Sequence, residues 1–194
     1  IEKFLTNPNK PVILALSRPD RRKNLHSLID AYGTDKELQA LANLVIFAGI
    51  RKDINTMGVA EKEVLTDILL SMDKYDLYGK LAIPKKHDIE NEVGAIYQYS
   101  AAKRGTFVNL ALHENFGLTT IEAASTGLPV VITKNGGPAE IVPKCHNGYL
   151  VDPTDSDEIK KSIRKILIDE DKWKKFSNNG IINAKKYYSW SSHT

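Results

Sequence analysis

HENFGLTTIEAA (residues 113–124) holds two glutamates, Glu114 and Glu122, on either side of Phe116-Gly117-Leu118-Thr119. The glycine followed by a run of helix formers reads as a loop ending at Gly117 and a helix over 118–125. TFVNLA (106–111) lies just before this unit and PVVIT (129–133) just after it. Both are short apolar runs of strand length, so the stretch sits inside a strand–loop–helix–strand unit. Neither run alternates strictly between apolar and polar residues, which is the pattern of parallel strands covered on both faces.

The same alternation extends in both directions. Upstream, VILALS (12–17), LVIFAG (44–49) and KLAI (80–83) read as strands, with helices over 24–32, 61–74 and 88–103 and Asn24 as a helix cap. Downstream come a short helix over 138–141 with Pro138 at its start, the strand GYLV (148–151), and two helices over 155–168 and 171–187. About six strand–helix units in a row predict an α/β fold, with a doubly wound, Rossmann-like parallel sheet of about six strands. Ligands of such sheets bind beyond the carboxyl ends of the strands. The loops over 18–23, 50–56, 84–87, 112–117 and 134–137 are therefore the places to look for chemistry.

Composition narrows the class. A chain of 194 residues predicts one domain, and 42% hydrophobic with 26% charged residues is an ordinary globular balance. A net charge of +3 is too small to argue for a nucleic-acid partner. The one cysteine, Cys145, excludes an internal disulfide and fits a reducing compartment. No apolar run approaches the ~20 residues that span a bilayer, so no membrane partner is expected. The longest run, LVIFAGI (44–50), reads as a buried strand. The chain shows no export signal, which predicts a cytoplasmic protein. It opens on IEKFLTNPNK without an initiator methionine, which predicts a domain of a longer protein.

Three loops carry candidate chemistry. In SRPDRRKN (17–24), Arg18 directly follows a strand and Lys23 directly precedes a helix. Arg offers a planar fork of donors to a phosphate and Lys a compact charge; a solvated basic turn is the other reading. In the central stretch, Gly117 lets a ligand approach the backbone, and the helix start at Leu118 presents free amides that suit an anion. Glu122, one turn into that helix, could accept hydrogen bonds from the vicinal hydroxyls of a ribose, leaving Glu114 toward the other end of the ligand. A first-turn glutamate favoured by the helix dipole is the competing reading. In KNGGPAEI (134–141), Asn135-Gly136-Gly137 either admits a ligand close to the backbone or is a plain turn.

Other patterns point away from familiar sites. Asp155-x-Asp157 and Asp169-x-Asp171 resemble metal-binding pairs but stand where acidic residues cap helices. There is no HExxH, GxGxxG after a strand, GxxxxGK[ST] or GxSxG, which argues against zinc hydrolase, dinucleotide, P-loop and serine hydrolase chemistry. No metal site and no tightly bound cofactor are expected. The basic run over 160–175 reads as a solvated helix face.

Taken together, Glu114-x7-Glu122 with Phe116-Gly117-Leu118-Thr119 resembles the retaining glycosyltransferases of family 4, two-domain enzymes of GT-B fold. Within that family the closer resemblance is to the sucrose-phosphate synthases. It is carried by KPVILALSRPDRRKN, ELQALANLVIFAGIRKDI, MDKYDLYGKLAIPKKH, FVNLALHENFGLTTIEAASTGLPVVITKNGGPAEI and NGYLVDP. The sucrose synthases share the framework. The resemblance implies a donor, UDP-glucose, and an acceptor, fructose 6-phosphate, with sucrose 6-phosphate and UDP as products. It implies that Arg18 and Lys23 bind the donor diphosphate and that Glu114 lies near the transferred sugar. Phe116, Gly117, Leu118 and Thr119 would contact sugar and phosphates, Glu122 the ribose, and Gly49 and Arg51 the nucleotide. It further implies that residues 1–194 are the C-terminal, donor-binding domain, that the acceptor-binding N-terminal domain lies outside the chain, and that SWSSHT (189–194) leads back toward it. The domain alone would then bind nucleotide but turn over poorly.

Overall fold

The computed structural model describes residues 1–85 and 92–188. The end of the loop expected through residue 87, the helix start expected at 88, and the SWSSHT end lie outside the described residues. Six parallel strands form one sheet: β1 (Val12–Ser17), β2 (Asn43–Ala48), β3 (Leu81–Ala82), β4 (Thr106–Asn109), β5 (Val130–Thr133) and β6 (Gly148–Val151), in spatial order β3-β2-β1-β4-β5-β6. Around it pack α1 (Leu25–Gly33), α2 (Lys36–Leu41), α3 (Val59–Lys74), α4 (Val93–Ala102), α5 (Leu118–Ser125), α6 (Pro138–Cys145), α7 (Ser156–Ile168) and α8 (Glu170–Tyr188). The chain moves outward from β1 to β3, then returns to lay β4 on the other side of β1. The loops after β1 and β4 therefore diverge, and a crevice opens between them at the carboxyl edge.

Consecutive apolar residues in each strand feed opposite cores. Ile13 and Ala15 of β1 join Leu44, Ile46 and Ala48 of β2 under Leu28, Ile29, Leu65, Ile68, Ile159 and Ile163 of α1, α3 and α7. Val12, Leu14, Val45 and Phe47 face the other way, beneath Ile96 and Tyr97 of α4 and Ala123 of α5. This is the two-sided burial that the unbroken apolar runs predict.

Several boundaries differ from expectation, each for a local reason. α2 was not anticipated; it is a short helix started by Asp35, whose carboxylate accepts from the Leu38 amide at 3.0 Å. Asn24 does precede α1 but caps no amide. It is left-handed, with φ 55°, because a 3-10 turn over Arg21–Lys23 delivers the chain there. Its side chain instead donates to the Pro153 carbonyl at 2.9 Å. β4 stops at Asn109, not at residue 111, since the Asn109 side chain turns back to accept from the Ala111 amide. α6 runs on to Cys145, past the expected end at 141 and through Pro143; buried Ile141, Val142 and Cys145 hold it despite the missing backbone donor. β3 shortens to two residues and α3 starts two residues early, at Val59.

Candidate functional site

The loops after β1, β4 and β5 meet at the crevice. In the first, Asp20 caps the 3-10 turn by accepting from the Arg22 amide at 2.9 Å. The Arg22 guanidinium folds back onto the same carboxylate at 2.7 Å. That hydrogen bond draws the Asp20 carboxyl down to about 2. Arg22 is thereby used locally, whereas the exposed Arg18 has no hydrogen-bond or ion-pair partner for its guanidinium among the described residues.

Lys23 points inward. Its ammonium lies 2.7 Å from Glu114 Oε2, and the Asn109 amide donates to that oxygen at 3.2 Å. The two charged side chains are only 24% and 15% exposed. Burial by itself pushes the Glu114 carboxyl up. The hydrogen bonds from Lys23 and Asn109, the Lys23 charge and the Gly117 amide together outweigh it, so the net direction is below the usual glutamate value. Glu114 is a carboxylate at neutral pH.

Backbone bonds fasten the loops to each other. Leu112 N–H donates to the Arg22 carbonyl at 2.9 Å, Glu114 N–H to the Asn135 carbonyl at 3.0 Å, and Gly137 N–H to the Glu114 carbonyl at 2.8 Å. Gly136, at φ 101°, passes so close to the Glu114 carbonyl that a methyl group there would overlap it. The close approach that these glycines permit is thus made by the protein's own backbone. Gly117, at φ 74°, turns the chain into α5. The amides of Leu118 and Thr119 stand in the first turn, where a helix offers no acceptor of its own.

Between the loops after β1 and β2, the end of β4, and helices α3, α4 and α5 lies a cleft of about 550 Å³ lined by Arg18, Lys23, Gly49, Asn109, Thr119 and Glu122 among others. Glu122 is held at one wall by the Tyr97 hydroxyl, which donates to its Oε2 at 3.1 Å. Five of the ten candidate residues read from the sequence therefore share one cavity. Glu114 sits behind Lys23, and Gly117 beneath the start of α5. Phe116 and Leu118 stand 76% and 66% exposed. Arg51 is not brought to the cleft. It is buried, and its guanidinium donates to the carbonyls of Ile83 and Pro84 at 3.3 Å each. It lines a separate groove of about 890 Å³ beside Leu81 and Met72 at the β3 edge. That groove is larger than the cleft but is lined by no residue of the loop after β1 or of α5.

Asn109 and Tyr97 were missed by sequence reasoning. Asn109 had a usable signal, a polar residue interrupting the apolar run TFVNLA. Tyr97 had none, being one of two tyrosines in the same helix. Asp155 accepts from the amides of Asp157 and Glu158, and Asp169 from that of Lys172, so both acidic pairs do begin helices as caps. Among the described residues no group of three His, Cys, Asp or Glu side chains is placed to hold a metal, and no helix is long and apolar enough to cross a membrane.

The sheet reverses its order at a cleft lined by two cations, the start of α5 and a carboxylate, an α/β architecture shared with glycosyltransferases of GT-B fold. Residues 1–182 match the family described as glycosyl transferases group 1, and the chain belongs to that family. Sucrose-phosphate synthase of Zea mays is 48% identical over 193 residues, which cover 100% of this chain and 18% of that protein. The chain thus spans less than a fifth of the curated relatives it matches first. Among solved structures, sucrose-phosphate synthase (tll1590) from Thermosynechococcus elongatus superposes with a TM-score of 0.78 at 25% identity, covering 96% of this chain and 43% of that one. Anabaena Alr3699/HepE in complex with UDP-glucose gives 0.77 at 20% identity, covering 93% and 45%, a likeness of fold.

Proposed function

We propose that this chain is the donor-binding domain of a two-domain GT-B enzyme. It would serve the transfer of glucose from UDP-glucose to fructose 6-phosphate, with retained anomeric configuration, to give sucrose 6-phosphate and UDP. The observation that carries this reading is the convergence of Arg18, Lys23, Thr119 in the first turn of α5 and Glu122 on one cleft, in a chain 48% identical to a sucrose-phosphate synthase. The UDP-glucose complex of HepE, which shares the fold, supports a nucleotide-sugar donor.

Breaking the glucose–phosphate bond sends its electron pair to the departing diphosphate while positive charge grows on the sugar ring. A catalyst gains most from donors already in place where that negative charge develops. Arg18, whose guanidinium has no hydrogen-bond or ion-pair partner among the described residues, is the ready cation. Lys23, fixed by Glu114, is the second, and the amides of Leu118 and Thr119 close the third side. Glu114 serves as the carboxylate at the sugar end and Glu122 accepts from the ribose hydroxyls. The charge placed at the diphosphate comes from side chains and amides, and the acceptor hydroxyl attacks from the face that the diphosphate leaves. The acceptor site would lie mainly on a domain outside this chain.

The deciding experiment assays the full-length protein with UDP-glucose and either fructose 6-phosphate or fructose. Sucrose 6-phosphate formation with little sucrose supports the proposal. Preference for free fructose assigns the protein to sucrose synthesis from the unphosphorylated sugar. Tight UDP-glucose binding without transfer to either acceptor makes it a nucleotide-sugar binding module and overturns the catalytic reading.

A further inference from the structure

The two glutamates of the central motif have opposite kinds of neighbour. Glu114 shares an oxygen with an ammonium. Glu122 has no cation within ion-pair distance among the described residues, and the one side-chain hydrogen bond it accepts comes from a neutral phenol, that of Tyr97. Tyr97 is 1% exposed. Its ring stands edge-on to Phe107 of β4, with centroids 5.5 Å apart and planes at 73°. A ring packed in this way between a helix and a strand has one rotamer available, so its hydroxyl is a fixed point. Burial, and then the charge of Glu122, push the phenol well above its ordinary value, so it remains a donor at any physiological pH.

We propose that Tyr97 is a positioning residue of the donor site. Its hydroxyl holds one oxygen of Glu122 so that the other faces the cleft to accept from the vicinal hydroxyls of the donor ribose. The proposal rests on the ribose role proposed for Glu122. A neutral donor suits this task better than a cation. It uses one of the roughly four lone-pair sites of a carboxylate and leaves the negative charge unpaired for the ligand. An ammonium in its place would neutralise the group and compete with the sugar hydroxyls. The anchor also limits the rotamers of an otherwise exposed glutamate, so less side-chain freedom remains to be lost on binding.

The test titrates UDP and 2′,3′-dideoxy-UDP into the full-length protein and its Tyr97→Phe variant, which keeps the ring and deletes only the hydroxyl. Wild type should favour UDP. Tyr97→Phe should weaken UDP by about 3- to 10-fold, the range of one neutral hydrogen bond, and leave dideoxy-UDP unchanged. Glu122→Ala, which removes the acceptor altogether, supplies the second background, in which Tyr97→Phe should add no further loss of UDP affinity. If wild type discriminates and Tyr97→Phe discriminates equally well, or weakens both ligands alike, the positioning role is overturned while the ribose reading stands. If wild type does not discriminate at all, the ribose reading of Glu122 fails, and the role of Tyr97 fails with it.

Discussion

Replacing Lys23 by Met tests how the crevice is held together before any ligand arrives. The substitution keeps most of the aliphatic stem and removes the charge. It strands the Glu114 carboxylate with the Asn109 and Gly117 donors alone. Removing one partner of a fully buried pair costs about 3–5 kcal/mol, and exposed pairs contribute about 0–1 kcal/mol. At 24% and 15% exposure, the Lys23–Glu114 pair stands nearer the buried limit, and about 2–3 kcal/mol is expected for Lys23→Met. Glu114→Gln keeps an acceptor oxygen for Asn109 and should cost about 1 kcal/mol. The double variant should then be less destabilised than the sum, with a coupling of about 1–2 kcal/mol. The folded-state pKa of Glu114 is depressed below its reference of 4.5. Its contribution is therefore present above that value and lost as pH falls through the depressed one, because the unfolded chain takes up the proton first. The gap between wild type and Lys23→Met should narrow on acidification. Urea unfolding of the four proteins at neutral pH, repeated at acid pH, measures both effects. Additive single costs, or a gap that widens as pH falls, would refute the reasoning.

Four further outcomes follow from the same geometry. Arg18→Ala in the full-length protein should lower kcat by about 10²–10³-fold, as loss of one charge-stabilising donor does; turnover near wild type would remove Arg18 from the leaving group. Glu122→Ala should weaken UDP and UDP-glucose to the same extent, since both carry the ribose, and unchanged UDP affinity by calorimetry would contradict that assignment. Gly136→Ala forces a side chain onto a backbone at φ 101° and against the Glu114 carbonyl, so a loss of about 3 kcal/mol is expected. Gly94→Ala, within α4 and with open space around the added methyl, should instead stabilise by about 0.5–1 kcal/mol; thermal melts of the two compare them directly.

What the amino-acid sequence determined by itself is the local part of this protein. The unbroken apolar runs specify strands covered on both faces, and β1, α5 and β6 begin and end where their composition says they should. Gly117 before Leu-Thr-Thr marks the turn into α5 because a left-handed residue at a helix start is a near-neighbour property. The spacing of Glu114 and Glu122 around that turn is likewise readable from one segment. Tertiary structure decided everything that depends on distant segments meeting. Nothing local to Lys23 says that it will find Glu114, 91 positions away, nor that Tyr97 will find Glu122, 25 positions on. The glycines of Asn135-Gly136-Gly137 looked equally suited to a ligand and to a plain turn, and only the packed loops show that the neighbouring backbone fills the space. Arg51 follows β2 and is given to the nucleotide by the family resemblance, yet the fold buries it against the carbonyls of Ile83 and Pro84. The physical reason is the same in each case. Periodicity and turn chemistry act over a few residues, whereas strand order and side-chain partners are set by which apolar faces cover one another, and that is settled only when the whole sheet closes.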